Sequence, residues 1–450
     1  MPSRPPPSNG ADRIPRVKVL IVHYRFYEWG GPERYLFGIK ASLEAAGHEA
    51  VPFSLRHARN EESPYQDYFA PPIGGGEAMR FGEEALSSAV LWRKLAGTFY
   101  SSTVERSLDR LIADLRPDVM YVLQYQRHLS PAVLVAAKRH GLPVVVRMSD
   151  YEAVCPQAHL VRDGRICEEC VERRSLWPSV RHGCMKGSRL HSLVNAVAAG
   201  YHGFRGYFDL VDAVVTPSRM VFDKLVQGGF DRERLTIIPT CVDTNRFAPA
   251  RAASERRTFL YVGQIRPEKG VDVLLRAWRH ASEEARRTGM KLIVAGSGPA
   301  DYEQYVRGLA AGDPTVELTG ALPGDAIAGL LRDARMSIVP STWYENLPNA
   351  LLESYASGAP VIASAIGSLL EVVANGETGW TFEPGNDTEL ALLIRRAILD
   401  TGTVDTMAAR ARERALEEFG PALHLTRLLA LFTRLLATEA DSLAMQPSWT

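Results

Sequence analysis

The sequence lacks most features that would place it in a specialised class. No stretch reaches the ~20 consecutive apolar residues that a membrane span needs. Met1–Arg16 is rich in Pro, Ser and Arg, without the apolar core of a secretory leader. An excess of one charge is missing too: 52 basic residues face 52 acidic ones. No global field therefore draws the chain to nucleic acid or an anionic surface, and any such affinity has to be local. Five cysteines in 450 residues make no disulfide scaffold. A cytoplasmic protein that binds no nucleic acid is the expectation.

What remains is an ordinary globular composition, 46% hydrophobic and 23% charged, long enough for two or three domains. Val17–Val22, Val119–Leu123, Val144–Met148, Val211–Val215 and Leu235–Ile238 read as buried strands, as do Phe259–Val262, Leu292–Ala295, Met336–Val339 and Val361–Ala363. Nearly continuous Val/Ile/Leu runs alternating with amphipathic stretches predict parallel sheets covered by helices, a doubly wound α/β class. The pattern pauses at 243–257, which separates a first Rossmann-like domain, 17–242, from a second, 258–402. Two helical stretches follow at 403–438, broken at Phe419–Pro421. The ends, 1–16 and 439–450, read as mobile.

The second half carries the sharper chemistry. Phe259–Leu275 reads as strand, loop and helix, with Gly263 and Gly270 allowing tight turns and Arg266 and Lys269 beside a helix N-terminus. Amides, helix dipole and cations together suit a diphosphate, although a solvated loop fits the same residues. In Pro340–Ala363 a helix is expected from Asn346 to Gly358, with Glu345 at its N-terminal loop and Glu353 two turns on. Eight helical residues span about 12 Å, room for two carboxylates to hold opposite ends of a long polar ligand. The amides of Asn346 and Leu347 would face the anion between them. A helix-surface glutamate and a dipole partner explain the two carboxylates equally well. Near the start, Gly30 and Gly31 follow the first strand, where a backbone can approach a ligand closely or simply turn.

At these residues the sequence resembles a known family, the retaining GT-B glycosyltransferases of family 4. The resemblance lies in Glu345-x7-Glu353 with Ser357–Ala363 after it, in Gly263–Val271, and in Ala295–Pro299 with its Gly298. Leu318–Gly320, Asn375–Gly379 and Glu28–Arg34 fall in the family's order. It implies two Rossmann-like domains facing across a cleft, with a last helix crossing back to the first. It further implies that the second domain holds a nucleoside diphosphate sugar, with Lys269 on the diphosphate, Glu353 on the ribose and Glu345 on the transferred sugar. Gln264 stands where the family usually has an arginine, a charge that Arg266 is expected to supply. His128 maps to a histidine near the anomeric carbon, while Ser149 replaces a second one. The implied reaction moves a hexose to an acceptor hydroxyl on a glycan, lipid-linked or small molecule, on the same face and without a catalytic metal. A sugar-nucleotide epimerase and a silent nucleotide-sugar-binding subunit stay open as alternatives. A dinucleotide oxidoreductase does not, because Tyr24–Gly31 lacks the G-x-G-x-x-G pattern.

Cys155, Cys167, Cys170 and Cys184 form C-x11-C-x2-C-x13-C inside a polar insertion, 155–184, a spacing that suits a structural Zn2+. Disulfides, a redox pair and free thiols are the competing readings, and His159 or His182 could replace one sulfur. Beyond the cluster, Arg173–Arg205 holds Arg173, Arg174, Arg181, Lys186, Arg189 and Arg205 without an acidic residue, interleaved with Trp177, Tyr201 and Phe204. Peripheral contact with the inner membrane face, a lipid-linked acceptor, or a solvated face all fit.

Overall fold

The computed structural model describes residues 16–72, 97–126, 128–249 and 251–444. Two six-stranded sheets organise them. The first has the order β2-β1-β3-β4-β7-β8, with β1 Lys18–His23, β2 Glu49–Phe53, β3 Val119–Gln124, β4 Val144–Arg147, β7 Ala213–Thr216 and β8 Leu235–Ile237. The second has the order β11-β10-β9-β12-β13-β14, with β9 Thr258–Val262, β10 Lys291–Ala295, β11 Val316–Gly320, β12 Ala334–Val339, β13 Val361–Ser364 and β14 Gly379–Phe382. Between β4 and β7 lies an antiparallel hairpin, β5 Val161–Arg162 with β6 Arg165–Ile166. Strand pairings in the second sheet are parallel throughout.

Packing divides the chain into two compact units. One takes the residues up to Val145, Asp209–Asp212 and Leu425 onward; the other takes Val146–Phe208 and Ala213–His424. In the first, Phe432 of the last helix meets Tyr121 of β3 edge-on, ring centroids 5.7 Å apart. In the second, the helix Val271–Thr288 lays Leu274, Ala277, Trp278 and Ala281 onto the sheet. Its Trp278 ring meets Phe259 edge-on and donates Nε1–H to Thr315 Oγ1 at 2.9 Å, so burial leaves its polar end satisfied.

The connecting segment at 243–257 is not merely solvated. Arg256 is fully buried, and its Nη1 donates to the carbonyls of Ala334, Ser357 and Gly358 at 2.8–3.1 Å. Two boundaries differ from expectation. The helix expected at Asn346–Gly358 spans Asn349–Ala356, because Pro348 forces the residue before it out of helical geometry and itself becomes the N-cap. The last helix, Pro421–Ala444, runs six residues past the expected 438. Of the ends expected to be mobile, 1–16 and 439–450, residues 439–444 are helical, and 1–15 and 445–450 lie outside the described residues.

Candidate active site

In the second sheet β9 lies between β10 and β12, so the chain leaves the central strand in one direction and later returns on its other side. Such a switch point opens a crevice beyond the carboxyl ends of the strands. Three loops meet there, too closely for side chains. A Cβ on Gly270, at φ +68°, would sit 1.9 Å from the carbonyl oxygen of Pro340; one on Gly296 would sit 1.7 Å from that of Gly263; one on Gly298 would sit 1.8 Å from that of Ile265. Backbone hydrogen bonds hold the approach, Ile265 N–H to Ser297 O at 2.9 Å and Thr342 N–H to Glu268 O at 3.0 Å. Contact requires glycine at all three positions, and at Gly270 the left-handed backbone requires it as well.

Lys269 and Glu345 meet where the loops after β9 and β12 converge. Lys269 Nζ donates to both carboxylate oxygens, at 2.7 and 3.0 Å. Ser341 Oγ adds a bond of 2.6 Å and Trp343 Nε1 one of 3.0 Å, while Lys269 Nζ lies 4.9 Å from the Trp343 ring centre. Burial alone would push the Glu345 carboxyl up, but the Lys269 charge and these hydrogen bonds hold it below the usual carboxylate range. A depressed pKa gives stability that is present above the unfolded value and lost as pH falls through the folded one. The difference in melting temperature between wild type and Glu345→Gln is therefore expected to stay constant above about pH 5 and to shrink in more acidic buffer, as thermal melts across pH would measure.

The other expected donor residues lie on the same compact unit as this pair. Arg266 precedes the short helix Pro267–Lys269, half-exposed and 3.7 Å from Glu268. The Gly298 amide donates to Glu303 Oε1 at 2.6 Å, so a carboxylate already stands where that amide points. Glu353 is buried in the helix Asn349–Ala356, 6% exposed like Glu345. Asn346 and Leu347 stand in the loop ahead of that helix, not in its first turn as expected, and the Asn346 side-chain amide donates to the carbonyl of Ser149. One neighbour escaped the sequence reading. His159, considered there only as a spare ligand, packs edge-on to Trp343 with centroids 4.7 Å apart. Burial lowers its pKa, with Glu268, Lys269 and Arg266 all within electrostatic reach. Its signal was hidden in the cysteine-rich insertion, far from 343 in sequence.

The remaining expected residues belong to the other compact unit. Gly30 caps the helix Gly31–Ala45 in an extended conformation, φ −162°, which any residue can adopt. Its neighbour Glu33 is buried 3.4 Å from Arg25. His128 stacks on Tyr24 at 4.3 Å, and Tyr24 stacks on His23 at 5.0 Å. The ends of β1 and β3 thus bring His128 beside the loop that leads to Gly30.

Cys155, Cys167, Cys170 and Cys184 are free thiols. Burial, followed by the charges of Cys155, Cys184 and Cys167, pushes Cys170 up to about 12, so the four share one neighbourhood. Among the described residues, no three His, Cys, Asp or Glu side chains gather closely enough to hold a metal ion. The expected zinc cage is not closed in this arrangement.

Residues 243–414 match the family described as glycosyl transferases group 1. Residues 30–241 match the glycosyl transferase 4-like domain. The chain belongs to the group 1, family 4 glycosyltransferases. Glycogen synthase of Mycobacterium tuberculosis is 31% identical over 218 residues, 46% of this chain and 50% of that protein. The chain spans about half the length of the curated relatives it matches. Sucrose-phosphate synthase from Thermosynechococcus elongatus superposes with TM-score 0.67 at 18% identity, covering 94% of this chain and 100% of that one. Anabaena HepE, crystallised with UDP and glucose, gives TM-score 0.60 at 16% identity, covering 96% and 100%. These likenesses establish the GT-B fold for this family member. Its group 1 segment includes Gly263, Gly298, Lys269, Glu345 and Glu353, and its 4-like segment includes Gly30, Gly31 and His128. Among the described residues no helix is long and apolar enough to cross a membrane.

Proposed function

We propose that the protein transfers a hexose from a nucleoside diphosphate sugar to an acceptor hydroxyl, with retention at the anomeric carbon. The observation that carries this reading is the convergence of three glycine-tight loops on the Lys269–Glu345 pair at the sheet's switch point. A diphosphate placed there would take over Lys269 and, from Glu303, the Gly298 amide, with Arg266 at the rim. Glu345, released, would accept a hydroxyl of the transferred sugar, and Glu353 would hold the ribose. Bond formation from the acceptor oxygen to the anomeric carbon accompanies cleavage of the bond to the diphosphate, which leaves with the acceptor proton. Protein cations stabilise the leaving group, so most of the acceleration comes from fixed charge and positioning, and no catalytic metal takes part. His128 would contact the sugar or orient the acceptor. The bound UDP of Anabaena HepE supports a nucleotide donor and makes UDP-sugars the first to test.

A thermal-shift screen of UDP-, GDP- and ADP-sugars should select one base, and the product's anomeric configuration by NMR should match the donor's. Glu353→Ala is expected to raise the donor KM at least tenfold, the worth of a charge-assisted hydrogen bond of about 1.5–3 kcal/mol. Sugar inversion in donor alone, without an acceptor, would instead favour the epimerase reading.

Cys155, Cys167, Cys170 and Cys184 have the donor chemistry of a structural zinc site, and we propose that Zn2+, when bound, would draw them together without entering the reaction. Metal analysis of the purified protein should find about one zinc per chain, lost in Cys167→Ser/Cys170→Ser; under half a zinc in the parent counts against the site.

A further inference from the structure

The helix Arg189–Phe204 turns an apolar stripe to solvent. Leu190, Leu193, Val197, Tyr201 and Phe204 are all exposed, Leu190 at 69% and Phe204 at 88%. At 3.6 residues per turn their spacing confines them to an arc of about 80° along roughly 21 Å of helix. Ser192 and Ala198, outside this arc, are buried. Trp177, 65% exposed, continues the stripe across a groove of about 460 Å³ lined by Arg174, Leu176, Trp177, Leu193, Val197 and Gly200.

The segment that carries the stripe has one sign of charge. Arg173, Arg174, Arg181, Lys186, Arg189 and Arg205 are exposed, and no acidic residue occurs between 173 and 205. Glu169 pairs with Arg173 at 3.4 Å, and Arg174 Nε donates to the carbonyl of Gln227 at 3.0 Å. The neutral chain has thus concentrated cations around its apolar stripe. A second copy of the chain would bring like charges face to face across an isologous contact. A straight apolar line edged by cations and aromatic rings instead matches a plane that is apolar inside and anionic outside.

We infer that this helix and Trp177 seat the protein on an anionic phospholipid bilayer. The stripe enters the acyl boundary, the groove takes an acyl chain, and the arginines meet headgroup phosphates. The inference is independent of the transfer reaction, while its groove is also lined by Cys170, one of the four thiols of the cysteine-rich insertion.

Full-length protein should float with vesicles containing about 30% phosphatidylglycerol and remain unbound with pure phosphatidylcholine. Binding should weaken with salt. Leu193→Ser/Phe204→Ser should lower vesicle affinity at least tenfold without changing the melting temperature, since both side chains are exposed. Arg181→Gln/Arg189→Gln should lower it about fivefold per charge removed. Equal binding to both vesicle types, or no loss in these variants, overturns the inference. So does a dimer by light scattering that the serine variant dissociates, since the face would then belong to a second copy.

Discussion

Lys269→Met is expected to damage stability and turnover together, and only stability should be recoverable. Glu345 is buried with its charge facing Lys269 Nζ at 2.7 Å. Removing the ammonium leaves a carboxylate with only the neutral donors Ser341 and Trp343. Breaking a buried pair from one side typically costs about 3–5 kcal/mol, so a marked fall in melting temperature should follow. Adding Glu345→Gln removes the stranded charge, and the double variant should melt close to wild type. Transfer should not return, because the proposed diphosphate site has lost its main cation; a loss of about 10²–10³ in kcat is the scale for one preorganised stabilising group. A double-mutant cycle read by both melting and rate separates the two roles. Recovery of the rate along with the stability would reduce the pair to a structural brace.

Gly298→Ala should be among the most damaging single methyls in the second unit. The added carbon would lie 1.8 Å from the carbonyl oxygen of Ile265, whose own amide is fixed to Ser297. The loops after β9 and β10 must separate to admit it. Overpacking of this kind costs about 1–3 kcal/mol or more, and the separation also spreads the proposed diphosphate cradle. Both the melting temperature and the shift produced by donor should fall. Gly308→Ala is the control: it lies inside the helix Ala300–Ala310 with nothing within 4 Å of the new carbon. There alanine should stabilise by about 0.5–1 kcal/mol.

The central strands were legible because burial on both faces writes an unbroken apolar run, as in Val144–Arg147 or Val361–Ser364. In the two six-stranded sheets, the three strands missing from the sequence analysis, β2, β11 and β14, all lie at sheet edges. An edge strand has a ladder partner on one side only, which lets Pro52 into β2, and the more exposed β11 alternates as Val316-Glu317-Leu318-Thr319. Lys269, Glu345 and Glu353 stood out by spacing, but the ion pair between the first two did not, because spacing reports distance along the chain. His159 beside Trp343 was beyond reach for the same reason. It depends on how the insertion after β4 folds back, and no local pattern encodes that.

The buried Arg256 bears on how related chains could be recombined. Its guanidinium supplies the donor for three carbonyls at the ends of β12 and of the helix Asn349–Ala356, yet it precedes β9 in sequence. A chimera joined at Thr258 would import those carbonyls and leave their arginine in the discarded parent. A crossover at Asp243 carries the arginine along, and is the junction at which the second sheet travels as a whole.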